Sequence, residues 1–285
     1  MQRRTFVKSS LAAAAAAATS PAPGAASPAP PAAGRAAYEL RTYELRNDLD
    51  VARAHAFVER ALIPALRRAG AGPVGAFAPD TGLPTASLVL LVPFASMADA
   101  GAASERLAAD AAYREASDAW ERGGGGAAGG GSPNGGSPNA APVGLPYVRY
   151  DVALYRAFAG HPQLEVPPAA AGRAGRVFEL RTYEAPSEAG LRNKVAMFDQ
   201  EEIKVFRDSG FAPVFFGEAV AGARLPHLTY LVGFDDMAAR TAAWGRFVAS
   251  PDWQRIRGRP GWTDPEAVSN IRSAFLRPLG FSAVR

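Results

Sequence analysis

The chain has 285 residues, 48% apolar and 20% charged, with 29 Gly, 24 Pro and no Cys. That length accommodates one large or two modest domains with a real core, and the lack of cysteine excludes disulfides, thiolate metal sites and thiol nucleophiles. Arg3, Arg4, Lys8 and Arg35 account for the whole formal charge of +4, so the chain from residue 36 onward is neutral overall; this removes the electrostatic argument for a nucleic-acid or anionic-membrane partner and makes a homo-oligomer an expected state.

The first 35 residues read as an address and a spacer. Arg3 and Arg4, then Thr5-Phe6-Val7-Lys8, precede Leu11 and an Ala12–Ala18 run too short to span a bilayer. This resembles a twin-arginine export signal of bacteria, with Arg3 and Arg4 as the routing pair. A persistent Ala-rich helix is disfavoured because Pro21, Pro23 and Gly24 follow at once. Residues 19–35, rich in Ala, Pro, Gly and Ser, read as cleavage region and spacer. The protein is therefore expected to be exported, periplasmic or extracellular, with no membrane span in the mature chain.

From residue 36 one unit is written twice. Tyr38-Glu39-Leu40-Arg41-Thr42-Tyr43-Glu44 returns 140 residues later as Phe178-Glu179-Leu180-Arg181-Thr182-Tyr183-Glu184. Gly70, Pro73, Phe94 and Met97 meet Gly210, Pro213, Phe234 and Met237 at the same offset, the mark of an internal duplication. In the first copy, 37–45 reads as a strand. Asn47 or Asp48 caps a helix from about 49 to 69 whose apolar face is Val51, Ala54, Val58, Ala61, Leu62, Ala65 and Leu66. Pro64 is expected to kink or restart it, and Gly70 to end it. Strands follow near 73–78 and 86–93, Ser96 caps a second helix, and Asp110 starts a shorter turn holding Tyr113. In the second copy the strands fall at 213–218 and 227–233, and Asp235 and Ser250-Pro251 start the helices. The last strands, Val152–Arg156 and Ser273–Arg277, align at an offset of 121. The difference between offsets is the Gly/Ser/Pro/Asn tract 123–141, which cannot form a core and reads as a surface insertion. The expected organisation is 1–35, a first unit 36–158, a Pro/Ala-rich linker 159–175 and a second unit 176–285, each unit βαββαβ and ferredoxin-like.

Several segments carry a resemblance. They are the Tyr-Glu-Leu-Arg-Thr-Tyr opening, the helix ends Arg67-Arg68-Ala69-Gly70 and Arg207-Asp208-Ser209-Gly210, the Pro-Val after each, the Phe-x-x-Met before the second helix, and Ser250-Pro251-Asp252-Trp253-Gln254. Together they resemble the NIPSNAP family over 36–158 and 176–285, the second copy more closely, since the first has Tyr113 where Trp253 stands and holds the insertion. The resemblance implies an α+β fold in which two tandem ferredoxin-like βαββαβ units pack sheet to sheet as an intrachain dimeric α/β barrel. It implies no defined chemistry and no catalytic residues.

Strand alternation puts Tyr38, Leu40 and Thr42, and likewise Phe178, Leu180 and Thr182, on one face, expected under the helices. The other face, expected in the barrel lumen, presents Glu39, Arg41 and Tyr43, and Glu179, Arg181 and Tyr183. On one reading these are ion pairs that fill an interface; Arg41→Met or Arg181→Met then strands a glutamate at about 3–5 kcal/mol, with Arg181 the clearer case. On the other they floor a ligand pocket in which an arginine holds an anionic group and the tyrosines supply donors. His55 on the first helix and His227 at a strand start are weaker candidates for a base or ligand. His161, in the linker, reads as solvent-exposed, and Trp244, Trp253 and Trp262 as packing aromatics. No His-rich metal motif, serine-hydrolase elbow or phosphate loop occurs, and no cofactor is assigned. Three functions stay open: an exported protein binding a small molecule in the cleft between the units, an oxygenase- or haem-handling-type enzyme by fold analogy, and a surface interaction module.

Overall fold

A computed structural model describes residues 34–46, 48–84, 86–122, 147–168 and 176–285. The signal with Arg3 and Arg4, the cap at Asn47, the insertion 123–141 and the linker stretch 169–175 lie outside the described residues.

Each copy opens with a strand, β1 Ala37–Glu44 or β5 Val177–Glu184, followed by a helix interrupted by a π-helical turn. The first copy has α1 Asp48–Phe57, the π turn Val58–Leu62 and α2 Ile63–Arg68; the second has α5 Glu188–Met197, the π turn Phe198–Glu202 and α6 Ile203–Asp208. The interruption recurs at the same register although Lys204 stands where the first copy has Pro64, so the proline is not its cause. Both helices end at glycines with positive φ, Gly70 at 100° and Gly210 at 85°, a conformation that disfavours a Cβ. Arginines from the next long helix satisfy the freed carbonyls: Arg106 donates to Ala69 O and Arg246 to Ser209 O.

The first copy continues with β2 Gly75–Thr81, β3 Ser87–Phe94, α3 Met97–Ala109, α4 Ala111–Glu121 and β4 Arg149–Ala157. The second continues with β6 Ala212–Ala221, β7 His227–Phe234, α7 Met237–Ala249, α8 Pro251–Ile256, α9 Asp264–Ala267 and β8 Asn270–Pro278. Ser96, Asp110 and Ser250 cap α3, α4 and α8 as expected. The cap of α7 is Asp236 rather than Asp235: its carboxylate accepts from Ala239 N, and it occupies the position that matches Ser96 at the 140-residue offset.

The eight strands run antiparallel in the order β1-β3-β2-β8-β5-β7-β6-β4, with β4 paired back onto β1, so the barrel is closed. Each copy supplies four strands in ferredoxin-like order, and the pairs β2·β8 and β4·β6 join the copies through main-chain hydrogen bonds. Helices cover the outside. Three cores result, one between helices and sheet in each copy and one in the lumen. One end of the barrel is closed by residues 158–168 and the C-terminal tail: Ala36 N donates to Pro162 O, Glu165 N to Val214 O and Ala283 N to Val74 O. The start of the supposed linker is therefore docked. His161, expected in solvent, is 2% exposed, with its Nε2 3.2 Å from Val214 O and its Nδ1 beside Arg207 and Glu165.

Candidate functional site

The faces of β1 and β5 are the reverse of the expectation. Tyr38 and Phe178 lie in the lumen, where Tyr38 packs on Phe215 with ring centroids 5.0 Å apart and Phe178 on Phe77 at 5.3 Å. Glu39, Arg41 and Tyr43, and Glu179, Arg181 and Tyr183, sit on the opposite, helix-covered face. The physical reason is that both faces of these strands are buried, so parity alone does not say which charge pattern goes inward. Large rings are needed to fill an eight-stranded lumen, whereas the charges find hydrogen-bond partners in the helix layer.

That layer is much richer in the second copy. Glu179, fully buried, accepts from both Nε and Nη2 of Arg240 at 2.9 and 3.0 Å, from Trp244 Nε1 at 2.9 Å, from Arg181 Nη1 at 2.8 Å and from Ser273 Oγ at 2.9 Å. Burial by itself would push its pKa up; the bonds from Arg240, Trp244 and Arg181 outweigh that and hold it at about 2. Arg181 also donates to Tyr183 Oη at 3.3 Å and lies over the Trp244 ring at 4.8 Å, and Tyr183 Oη meets Tyr230 Oη at 3.1 Å. Beneath them Lys194 and Glu202, both buried, face each other at 3.3 Å, with the ammonium also over the rings of Phe198, Tyr183 and Trp253. In the first copy Arg41 bonds Glu39 at 2.8 Å and Tyr43 Oη at 3.1 Å, but the positions matching Lys194, Glu202, Tyr230, Arg240 and Trp244 are Ala54, Leu62, Leu90, Ala100 and Ser104.

The lumen carries a second polar group of residues, drawn from both copies. Tyr155 of β4 crosses over β6, where Gly217 makes room; a Cβ there would stand 2.7 Å from Tyr155 Cβ. Its Oη lies 3.1 Å from His227 Nε2 and 3.2 Å from Thr229 Oγ1, and Thr229 Oγ1 is 2.9 Å from Thr182 Oγ1. His227 Nδ1 is 3.2 Å from the Arg224 carbonyl, which can only accept, so Nδ1 bears the proton. The hydroxyls then donate in sequence, Thr182 to Thr229, Thr229 to Tyr155, and Tyr155 to Nε2. Burial lowers the His227 pKa and raises that of the Tyr155 phenol to about 12, so both rest neutral. Leu40, Thr42, Ala153, Thr182 and Ala219 beside this chain are only half-buried, which marks the barrel end opposite the docked linker as the accessible one. Ser87, at the matching position of the first copy, has a buried Oγ without a hydrogen-bond partner.

His227 thus joins a site, whereas His55 does not. It sits on α1 against Phe281, half-buried, its pKa lowered by desolvation. Among the described residues no three His, Asp or Glu side chains converge as metal ligands. No helix among them is long and apolar enough to cross a membrane. A groove of about 290 Å³ between Gly70–Pro73, Pro93–Ala95 and Gln163–Leu164 has no titratable lining residue. Sequence reasoning missed Tyr155, Thr229, Lys194, Glu202, Tyr230, Arg240 and Ser273. The signal for Lys194, Glu202, Tyr230 and Arg240 lies in the duplication itself, because each is polar where the other copy is apolar.

The NIPSNAP family model matches residues 38–124 and 178–283. A monooxygenase-like protein from Lactobacillus acidophilus NCFM shares the fold at a TM-score of 0.51 and 10% identity, over 86% of this chain and 94% of its own. A second, from Fusobacterium nucleatum, reaches 0.52 at 7% identity, over 86% and 93%. An uncharacterized NIPSNAP-like domain protein from Burkholderia xenovorans is 21% identical over 38% of this chain and 88% of its own, with a TM-score of 0.34. No curated protein matches.

Proposed function

The chain belongs to the NIPSNAP family, and from that premise we propose that it binds a small, mostly apolar molecule in the open end of its barrel, between the two copies. The observation that carries this reading is the chain Thr182, Thr229, Tyr155, His227 in the lumen, ending on half-buried apolar walls. An apolar chamber with a few convergent polar groups is the usual form of a small-molecule site. Uncharged His227 and Tyr155 suit a neutral hydroxyl on the ligand, which can donate to the free lone pair of Tyr155 Oη. The opposite wall is less polar: Leu276 and Val89 occupy the positions that Tyr155 and Thr229 hold on the polar side, and Ser87 stands where His227 does. A ligand with one polar end is therefore held in a single orientation. The enzyme reading draws its support from the same pair, since a neutral His227 beside a phenol has the form of a general base.

Fluorescence titration with 2-naphthol tests the binding. Leu40→Trp, which fills the mouth, is expected to abolish it, and Tyr155→Phe to weaken it by the 0.5–1.5 kcal/mol typical of one hydrogen bond, about 2- to 12-fold. Titration curves indifferent to both changes would refute the site. Native mass spectrometry of protein from its own host would identify a co-purified ligand.

A further inference from the structure

The outer face of the sheet carries a polar cluster around Glu179. Two guanidinium groups, Arg181 and Arg240, surround one carboxylate, Glu179, so the cluster carries a net positive charge. Five donors point at Glu179, counting Trp244 Nε1 and Ser273 Oγ, while a carboxylate offers about four lone-pair sites. The Arg181 Nε is buried and has no hydrogen-bond partner. Donors and positive charge are both in excess. The cluster is also reachable: the Arg240 side chain is 24% exposed and Ser273 is exposed. Beside them lie Trp244 and Phe275, whose rings pack against Arg240 at 5.6 and 5.3 Å. The first copy has Ala100, Ser104 and Val152 at the positions of Arg240, Trp244 and Ser273, so the excess belongs to the second copy alone.

We propose that the outer face of β5 and β8, where Arg181, Arg240, Ser273 and Trp244 converge, binds a monoanionic carboxylic acid with a flat apolar body. The carboxylate takes up the Nη donors of Arg240 that Glu179 leaves unused, beside the exposed Ser273, and the body lies along Trp244 and Phe275. This site does not depend on the lumen reading, because the sheet separates the two.

Calorimetric titration of the full chain with benzoate, and with benzamide as the neutral isostere, tests it. Benzoate is expected to bind saturably at one site and benzamide at least about tenfold more weakly. Arg240→Gln is expected to weaken benzoate by at least about tenfold, and Ser273→Val, at an exposed position that supplies one of the five bonds to Glu179, by at least about threefold; thermal melts check that each variant is folded. Tyr155→Phe is expected to leave the benzoate curve unchanged. The proposal is overturned if benzoate shows no saturable binding up to about 10 mM, if benzamide binds as well, or if both outer-face variants bind as the parent does. It is equally overturned if Tyr155→Phe removes binding, which would put benzoate in the lumen.

Discussion

Replacing Lys194 with Met keeps the side-chain length and removes the charge, leaving Glu202 alone in the core. Both side chains are 2% exposed and 3.3 Å apart. Burial raises the Glu202 pKa and Lys194 draws it back down, so without the lysine the carboxyl escapes by taking up a proton. Holding a carboxyl of ordinary pKa about 4.3 protonated at pH 7 costs about 3.7 kcal/mol, at 1.36 kcal/mol per pH unit; at pH 5 it costs about 1 kcal/mol. The sign follows from the raised pKa. Stability is complete below the unfolded pKa and falls as pH rises toward the folded one. Lys194→Met is therefore expected to lose up to about 4 kcal/mol at pH 7 and about 1 kcal/mol at pH 5. Lys194→Met with Glu202→Leu, which approximates the Ala54 and Leu62 of the first copy, is expected to recover most of the loss at both pH values. Urea unfolding of parent, single and double variants at pH 5 and 7 reads this directly. A loss independent of pH, or a double variant no more stable than the single, would refute the reasoning.

Arg41→Met is expected to destabilise more than Arg181→Met, by about 3–5 against 1–3 kcal/mol in chemical denaturation, because Glu179 keeps Arg240, Trp244 and Ser273 while Glu39 has Ala100 and Ser104 above it; equal losses would contradict this. Gly217→Ala should cost about 1–3 kcal/mol by thermal melting, since its methyl meets Tyr155 at 2.7 Å, and 2-naphthol binding should fall with it. His161 and His227 have pKa values lowered by burial, so stability should decline as pH drops below about 6.5, and His161→Gln should flatten that decline; an unchanged slope would dissociate His161 from it. Arg3→Lys with Arg4→Lys should retain the protein in the cytoplasm on cell fractionation, and undiminished export would rule out the twin-arginine route.

The duplication made most of the fold legible. Offsets of 140 and 121 match each of the four strands of one copy to its counterpart in the other, and strand and cap positions fall within a few residues of those read from the sequence. The face assignment was not legible. Alternation in Tyr38 to Tyr43 separates two sets of side chains but does not orient them when helices cover one side and a barrel closes the other. Beyond Arg181 on the same strand, the donors that stabilise Glu179 come from α7 and β8, some 60 to 94 residues away, and no local pattern announces them. The π turns were equally hidden, since Pro64 offered a false cause that Lys204 removes. His161 looked exposed because its neighbours are Gly160 and Pro162, yet a tertiary carbonyl, Val214 O, fixes its ring.

The pairs β2·β8 and β4·β6 join segments of one polypeptide. A barrel assembled from two separate chains would fall apart on dilution, its midpoint of unfolding drifting with protein concentration. Here each half meets the other at an effective concentration set by the length of the chain between β4 and β5 rather than by how many molecules are present. The closed barrel therefore stays assembled on dilution, and its unfolding should be first order in protein.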